Sequence, residues 1–282
     1  MKNSVKTLLI TGAVLLGVGT GSAKAQTLDF FSGVELDYQN IFHNDRVFDV
    51  NFSLTPGFKW TPGYNWTITA QAVLPIVHDY GPSTVYLNVA SISKEIALGE
   101  HNFLKISGGI FTNERYGLDL KWMFPVSDIF CVDAQIGYTG YLSMVDGWRC
   151  STPDRLSGWL RGRMYIPSAD TELIAQIGRY AYADFGLQLE WLRHFKAASV
   201  GMFAMYDLGS NINLGFRIVI GIPSSWRAGK KVGIRPANNF SLKQNVLAKS
   251  HFMTTYNTDP EDNCRDGYFS IEGSEWGFKA KK

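Results

Sequence analysis

The chain of 282 residues is 45% hydrophobic, 14% aromatic and only 18% charged, with 28 glycines, a composition that excludes a disordered or collagen-like polypeptide. Its 27 basic and 25 acidic residues give +2; with Lys2, Lys6 and Lys24 assigned to an N-terminal leader, 24 basic residues face 25 acidic ones, a net of −1, so the basic footprint of a nucleic-acid binder is absent. Beyond the N-terminus no segment approaches the roughly 18 unbroken apolar residues of a spanning helix, which excludes a helical multispan membrane protein.

Residues 1–25 read as a secretory signal: Lys2 and Lys6 supply the positive start, Leu8 to Val18 the apolar run, and Ala23-Lys24-Ala25 a small-x-small cleavage site before Gln26. The apolar run is too short and too interrupted, by Thr11, Gly12 and Gly17, for a retained anchor. Cys131, Cys150 and Cys264 lack the paired spacing of a zinc site, and no disulfide is expected from them.

From about residue 29 to 222 one pattern repeats: roughly ten residues with an apolar side chain at every second position, then a turn. The first segment sets Phe30, Val34, Leu36 and Tyr38 against Gly33, Glu35 and Asp37. In the second, Val50, Phe52, Leu54, Phe58 and Trp60 share one face, with Asn51, Ser53, Thr55, Gly57 and Lys59 on the other, because successive strand side chains point oppositely. The sixth opposes Tyr116, Leu118, Leu120, Trp122 and Phe124 to Asp119 and Lys121, and the seventh opposes Phe130, Val132, Ala134, Ile136 and Tyr138 to Asp133, Gln135 and Thr139. Further on, Leu160, Met164 and Ile166 oppose Arg161 and Arg163, and Ile212 to Ile220 in steps of two oppose Asn213, Gly215 and Arg217.

This counting predicts about twelve strands, near 29–38, 50–60, 65–77, 84–94, 103–112, 116–124, 129–139, 157–166, 171–180, 184–193, 197–207 and 212–222. They are longer than sandwich strands and long enough to cross a bilayer when tilted. Aromatics crowd their ends: Phe30, Tyr38, Trp60, Trp66, Trp122, Phe124, Tyr138, Trp159, Trp191 and Tyr206. The expected fold is therefore all-β, a transmembrane outer-membrane β-barrel of about 12 antiparallel strands (12–14) over residues 26–222, closed so that no backbone group meets lipid unpaired. Longer connections at 39–49, 78–83 and 140–156 are placed outside, and short ones at 61–64, 125–128, 167–170 and 194–196 in the periplasm. An even strand count then leaves 223–282, with ten basic and six acidic residues and a net of +4, as a basic C-terminal periplasmic extension. Within it, Phe240 to Leu247 and Tyr268 to Phe278 are candidates for one more hairpin.

The segments LTPGFKWTPGYNWTITAQAVLPIVHDYG at 54–81, PDRLSGWL at 153–160, GLQLEWLRHF at 186–195, VGMFAMYD at 200–207 and GFRIVIGIPSSWR at 215–227 carry a pattern of strand and turn residues. In that pattern the chain resembles the YjbH-type outer-membrane proteins of exopolysaccharide and group 4 capsule gene clusters, in a single-barrel form. The resemblance implies a non-enzymatic part in export or assembly of a surface polysaccharide, in the outer membrane of a Gram-negative bacterium. Its expected partners are outer-membrane lipid, polysaccharide, and periplasmic or outer-membrane export components.

Twelve polar residues are expected to face the lumen: Glu35, Asp37, Lys59, Lys105, Asp119, Lys121, Asp133, Arg161, Arg163, Glu172, Glu190 and Arg217. Mixed signs in a narrow bore favour a salt-bridged plug, while a polar path for sugar is the alternative. In the outer loop, Tyr141, Trp148, Arg149, Asp154 and Arg155 form a candidate contact surface for carbohydrate. None of His43, His78, His101, His194 and His251 precedes a serine at the two-residue spacing of one strand face, so a lipid-modifying enzyme ranks below both the export component and a small diffusion porin. No cofactor and no metal are expected, since Asp259, Glu261 and Asp262 lack the alternating oxygen ligands of a Ca²⁺ loop.

Overall fold

The period-two alternation becomes strands because it gives each segment one apolar and one polar face, which only an extended backbone keeps apart. The computed structural model describes residues 26–39, 49–79, 82–98, 102–145, 147–195, 198–209, 211–222, 231–237, 239–245 and 252–260. The leader read over 1–25 and the Tyr268 to Phe278 candidate lie outside them, as does the side chain of Asp37.

All twelve expected strands are present: β1 Thr27–Gln39, β2 Asp49–Gly63, β3 Trp66–His78, β4 Tyr86–Ala97, β5 Phe103–Phe111, β6 Arg115–Ser127, β7 Phe130–Ser143, β9 Arg155–Ile166, β10 Thr171–Arg179, β11 Phe185–His194, β12 Ala198–Asp207 and β13 Ile212–Gly221. Two-residue β8, Arg149–Cys150, and the pair β14, Val232–Pro236, and β15, Asn239–Asn245, are the other strands among the described residues. Among the described residues no helix is long and apolar enough to cross a membrane. Fourteen strands form one sheet in the order β14-β1-β2-β3-β4-β5-β6-β7-β9-β10-β11-β12-β13-β15, with β8 attached to β7. Every neighbour is antiparallel except β14, which runs parallel to β1.

Two expectations are corrected. The sheet does not stop at 222, because Leu28 to Ser32 of β1 pair with β14 and Gly215 to Gly221 of β13 pair with β15. Since β15 runs antiparallel to β13, it shares the direction of β1 and carries the chain to the end of the sheet that bears the 112–114 and 180–184 turns, not back to the end where β1 begins. The even-count argument for a periplasmic tail therefore fails. The 140–156 connection is also shorter than expected: β7 continues to Ser143, where Leu142 and Ser143 pair with Cys150 and Arg149. At the opposite end the β2–β3 turn lies at Tyr64 and Asn65, both with positive φ (53° and 61°), the pair of conformations that a two-residue hairpin turn requires.

The faces of the sheet invert the usual order of a soluble protein. Along β10, Leu173, Ala175 and Ile177 are exposed while Glu172, Ile174 and Gln176 between them are buried. The same face exposes Leu54, Leu118, Ile136, Leu160, Leu189, Met202 and Leu214 from other strands. The opposite face buries Ser93, Lys105, Asp119, Asp133, Arg163 and Glu190.

Candidate functional site: the buried polar face

Over β7, β9, β10 and β11 the buried face is built from full charges in one connected row. Asp133 accepts hydrogen bonds from Arg161 Nε at 2.8 Å and from Arg163 Nε at 3.2 Å. Register places them together: Asp133 stands directly opposite Arg161, and Arg163 follows two residues on, on the same face. Arg163 Nη1 continues to Glu172 Oε1 at 3.6 Å, and Glu172 Oε2 lies 3.0 Å from His194 Nε2. His194 Nδ1 is 2.7 Å from Ser199 Oγ, its partner across the β11–β12 turn. Glu190, also on β11, meets Arg217 of β13 across the intervening β12, with Arg217 Nε 2.8 Å from Glu190 Oε1. Asp133, Glu172 and Glu190 thus each meet an arginine, the condition under which charge can be held away from water.

Over β2 to β5 the same face is lined by hydroxyls and amides: Ser53, Thr55, Thr69, Gln71, Ser91, Ser93 and Ser107 are all buried. Ser93 donates to Ser107 at 3.0 Å, and Asn88 to Gln71 at 3.1 Å. Here the counter-charge comes from a distant part of the chain. Residues 252–260, without regular structure, lie against this face, and Asp259 Oδ2 reaches Lys59 Nζ at 3.1 Å and Lys105 Nζ at 4.0 Å. The carbonyl of Thr258 accepts from Ser91 Oγ at 2.5 Å, and Ser107 Oγ donates to Thr258 Oγ1 at 3.3 Å. Tyr256 stacks on Phe111 with ring centroids 5.5 Å apart and donates to Asp119 Oδ2 at 2.9 Å. Burial and the adjacent Asp119 hold the Tyr256 phenol above its usual range, so it remains a donor. Met253 packs with Tyr180, Phe203 and Met205.

The sheet is shaped for this segment. A Cβ at Gly137 would stand 1.6 Å from Tyr256 Oη, and one at Gly186 2.9 Å from Met253 Sδ, so only glycine admits those side chains at such range. Backbone bonds from Thr112 N to Asn257 O and from Ala181 N to Thr254 O tie the segment to the turns at that end.

Of the expected lumen-facing set, Lys59, Lys105, Asp119, Asp133, Arg161, Arg163, Glu172, Glu190 and Arg217 belong to these two assemblies. Lys121 is half-buried opposite Lys105 in the β5–β6 register. Glu35 lies on the strand face of buried Phe31, opposite buried Ser53, and is itself exposed. Of the outer-loop group, Trp148 is 71% exposed, Arg149 and Asp154 are exposed, and Tyr141 and Arg155 are half-buried. Asp154 and Arg155 meet only across 3.9 Å on the surface, so this group is an open surface with no built site. The contact of His194 with Ser199 is not legible along a single strand, because hairpin register makes it. Nothing in the local pattern of Tyr256, Thr258 and Asp259 indicates partners so far away in the chain. Among the described residues no cluster of three His, Cys, Asp or Glu side chains is placed to hold a metal ion. Comparison with family models, curated proteins and solved structures gives no match in any of the three.

Proposed function

We propose that this chain is a β-barrel of the Gram-negative outer membrane, a non-enzymatic component in the export or assembly of a surface exopolysaccharide or capsule. The observation that carries the membrane reading is the inverted sheet: apolar side chains exposed on one face along strand after strand, full charges buried on the other. An exposed apolar surface of that extent needs lipid or a partner to cover it. Closure is supported by β14 and β15, which follow one another in the chain yet pair with opposite ends of the strand order, β1 and β13. Such closure satisfies the backbone at membrane depth. The filled buried face favours a scaffold or gated conduit over an open diffusion porin. The polysaccharide role itself rests on the resemblance of the strand and turn segments to YjbH-type proteins.

Heat-dependent gel mobility of refolded protein tests the barrel, and deletion followed by surface-polysaccharide quantification tests the role; unchanged polymer on the cell surface would overturn it. One observation favours a second reading. Ser199, His194 and Glu172 form a hydrogen-bonded row of the kind that activates serine for acyl transfer. Against it, all three are buried and Glu172 is also engaged by Arg163. A fluorophosphonate probe decides: no labelling of folded protein is expected, and labelling at Ser199 would establish a hydrolase.

A further inference from the structure

We infer that residues 252–260 are a built-in plug that occupies a carboxylate-binding site on the buried face, and that an acidic glycan competes with it for Lys59, Lys105, Ser91, Ser107 and Phe111. The inference deepens the barrel reading and rests on it.

The segment makes the contacts of a ligand. It joins no strand pairing, yet Thr258 is fully buried and Asp259 nearly so. Its recognition is carried by one carboxylate between two ammonium groups, one carbonyl and one hydroxyl on serine hydroxyls, and one aromatic ring flat on another. Those are the groups that a uronic acid presents: a carboxylate, several hydroxyls and a ring face that stacks on an aromatic. Withdrawal of the segment would leave Lys59 and Lys105 without the Asp259 carboxylate, with Lys121 opposite Lys105 adding to the positive field. The site then selects an anion over a neutral chain. Phe111 would offer the ring now covered by Tyr256.

The segment is also the part of this face that can leave without opening the sheet. The charged row of β7 to β11 is made of strand residues, each fixed by ladder hydrogen bonds, whereas 252–260 follows β15 and joins no ladder. Its two backbone bonds to the 112 and 181 positions are the bonds of a docked peptide rather than of a ladder.

The test uses the full-length protein refolded into planar bilayers, the same chain ending at residue 251, and Asp259→Asn in the full chain. Truncation should raise single-channel conductance at least several-fold over the full chain. Oligogalacturonate should then block the truncated protein at least tenfold more tightly than a neutral malto-oligosaccharide of equal length, and Lys59→Gln with Lys105→Gln should remove that preference. Should truncation prevent folding, Asp259→Asn is expected to open the full chain intermittently. A cross-link between Ser107→Cys and Thr258→Cys, with the native cysteines replaced by alanine, should hold the full chain shut until reduced. Variants that give the heat-modifiable form but conduct no more than the full chain, or that acidic and neutral oligomers block alike, would overturn the plug and its ligand while leaving the barrel intact. Failure of the full-length protein itself to insert would instead overturn the barrel reading.

Discussion

The two halves of the buried face solve the same problem by different means. From β7 to β13, Asp133, Glu172 and Glu190 each meet an arginine of the sheet itself, on an adjacent strand or, for Glu190 and Arg217, across β12, so counter-charge is supplied by strand residues. From β2 to β5 the lining is rich in serine and threonine, and Lys59 and Lys105 meet a carboxylate, Asp259, that comes from beyond β15. A network held within the sheet has nothing to exchange, whereas one completed from outside the sheet has an occupied and an unoccupied state. The charged half reads as the fixed wall and the hydroxyl half as the variable one.

Substitutions can separate these roles. The largest effect is expected for Asp133→Ala, which leaves Arg161 and Arg163 side by side on β9 without their shared carboxylate; breaking a buried pair this way costs about 3–5 kcal/mol. A urea midpoint for loss of the heat-modifiable form should fall accordingly, and an unchanged midpoint would deny the wall its structural role. Next comes arginine on the exposed apolar face, at Leu54, Leu120 or Leu160. Near the bilayer midplane it should cost about 2–4 kcal/mol, measured by refolding into lipid vesicles, and equal sensitivity at Lys59 would contradict the assignment of the two faces. Gly137→Ala should cost less, about 1–3 kcal/mol, by forcing Tyr256 off Asp119 and Phe111. Its distinguishing sign is protease cleavage near 252–260 in an otherwise intact sheet; a segment as protected as before would argue that it is a fixed part of the wall. The smallest effect belongs to Ser93→Ala, which removes one hydroxyl pair with Ser107 and should shift the midpoint by only about 0.5–1.5 kcal/mol.

How far this contrast was readable in the sequence depends on the range of each interaction. Alternation located β1 to β7 and β9 to β13, because burial with a period of two leaves its mark on every residue of a strand. It placed Asp133, Arg161 and Arg163 on the buried face without saying which would meet. β14 and β15 are obscured because Val232–Pro236 and Asn239–Asn245 are short, the first ends on a proline and only Ala237 and Asn238 divide them; Phe240 is legible as a strand candidate, but its partner β13 is not. Charge counting treated Asp259 as one of six acids in a basic tail, although in the structure it is buried between two lysines. Local pattern reports which face a residue takes, and says nothing about what fills the space opposite.

The parallel pairing of β1 with β14 has a consequence for assembly. Every other neighbour in the order from β1 to β13 is an antiparallel partner next in sequence or separated from it only by β8, so those ladders can form as the chain emerges. The first strand waits for nearly the last: Leu28 cannot find Val232 until the whole sheet between them exists. Until then β1 and β13 are both open edges, able to template pairing with another chain, and a contact so distant in sequence forms slowly. Chaperone dependence and aggregation should therefore concentrate in that interval, and a chain ending before residue 232 should accumulate as an adhesive intermediate rather than as a folded sheet lacking its tail.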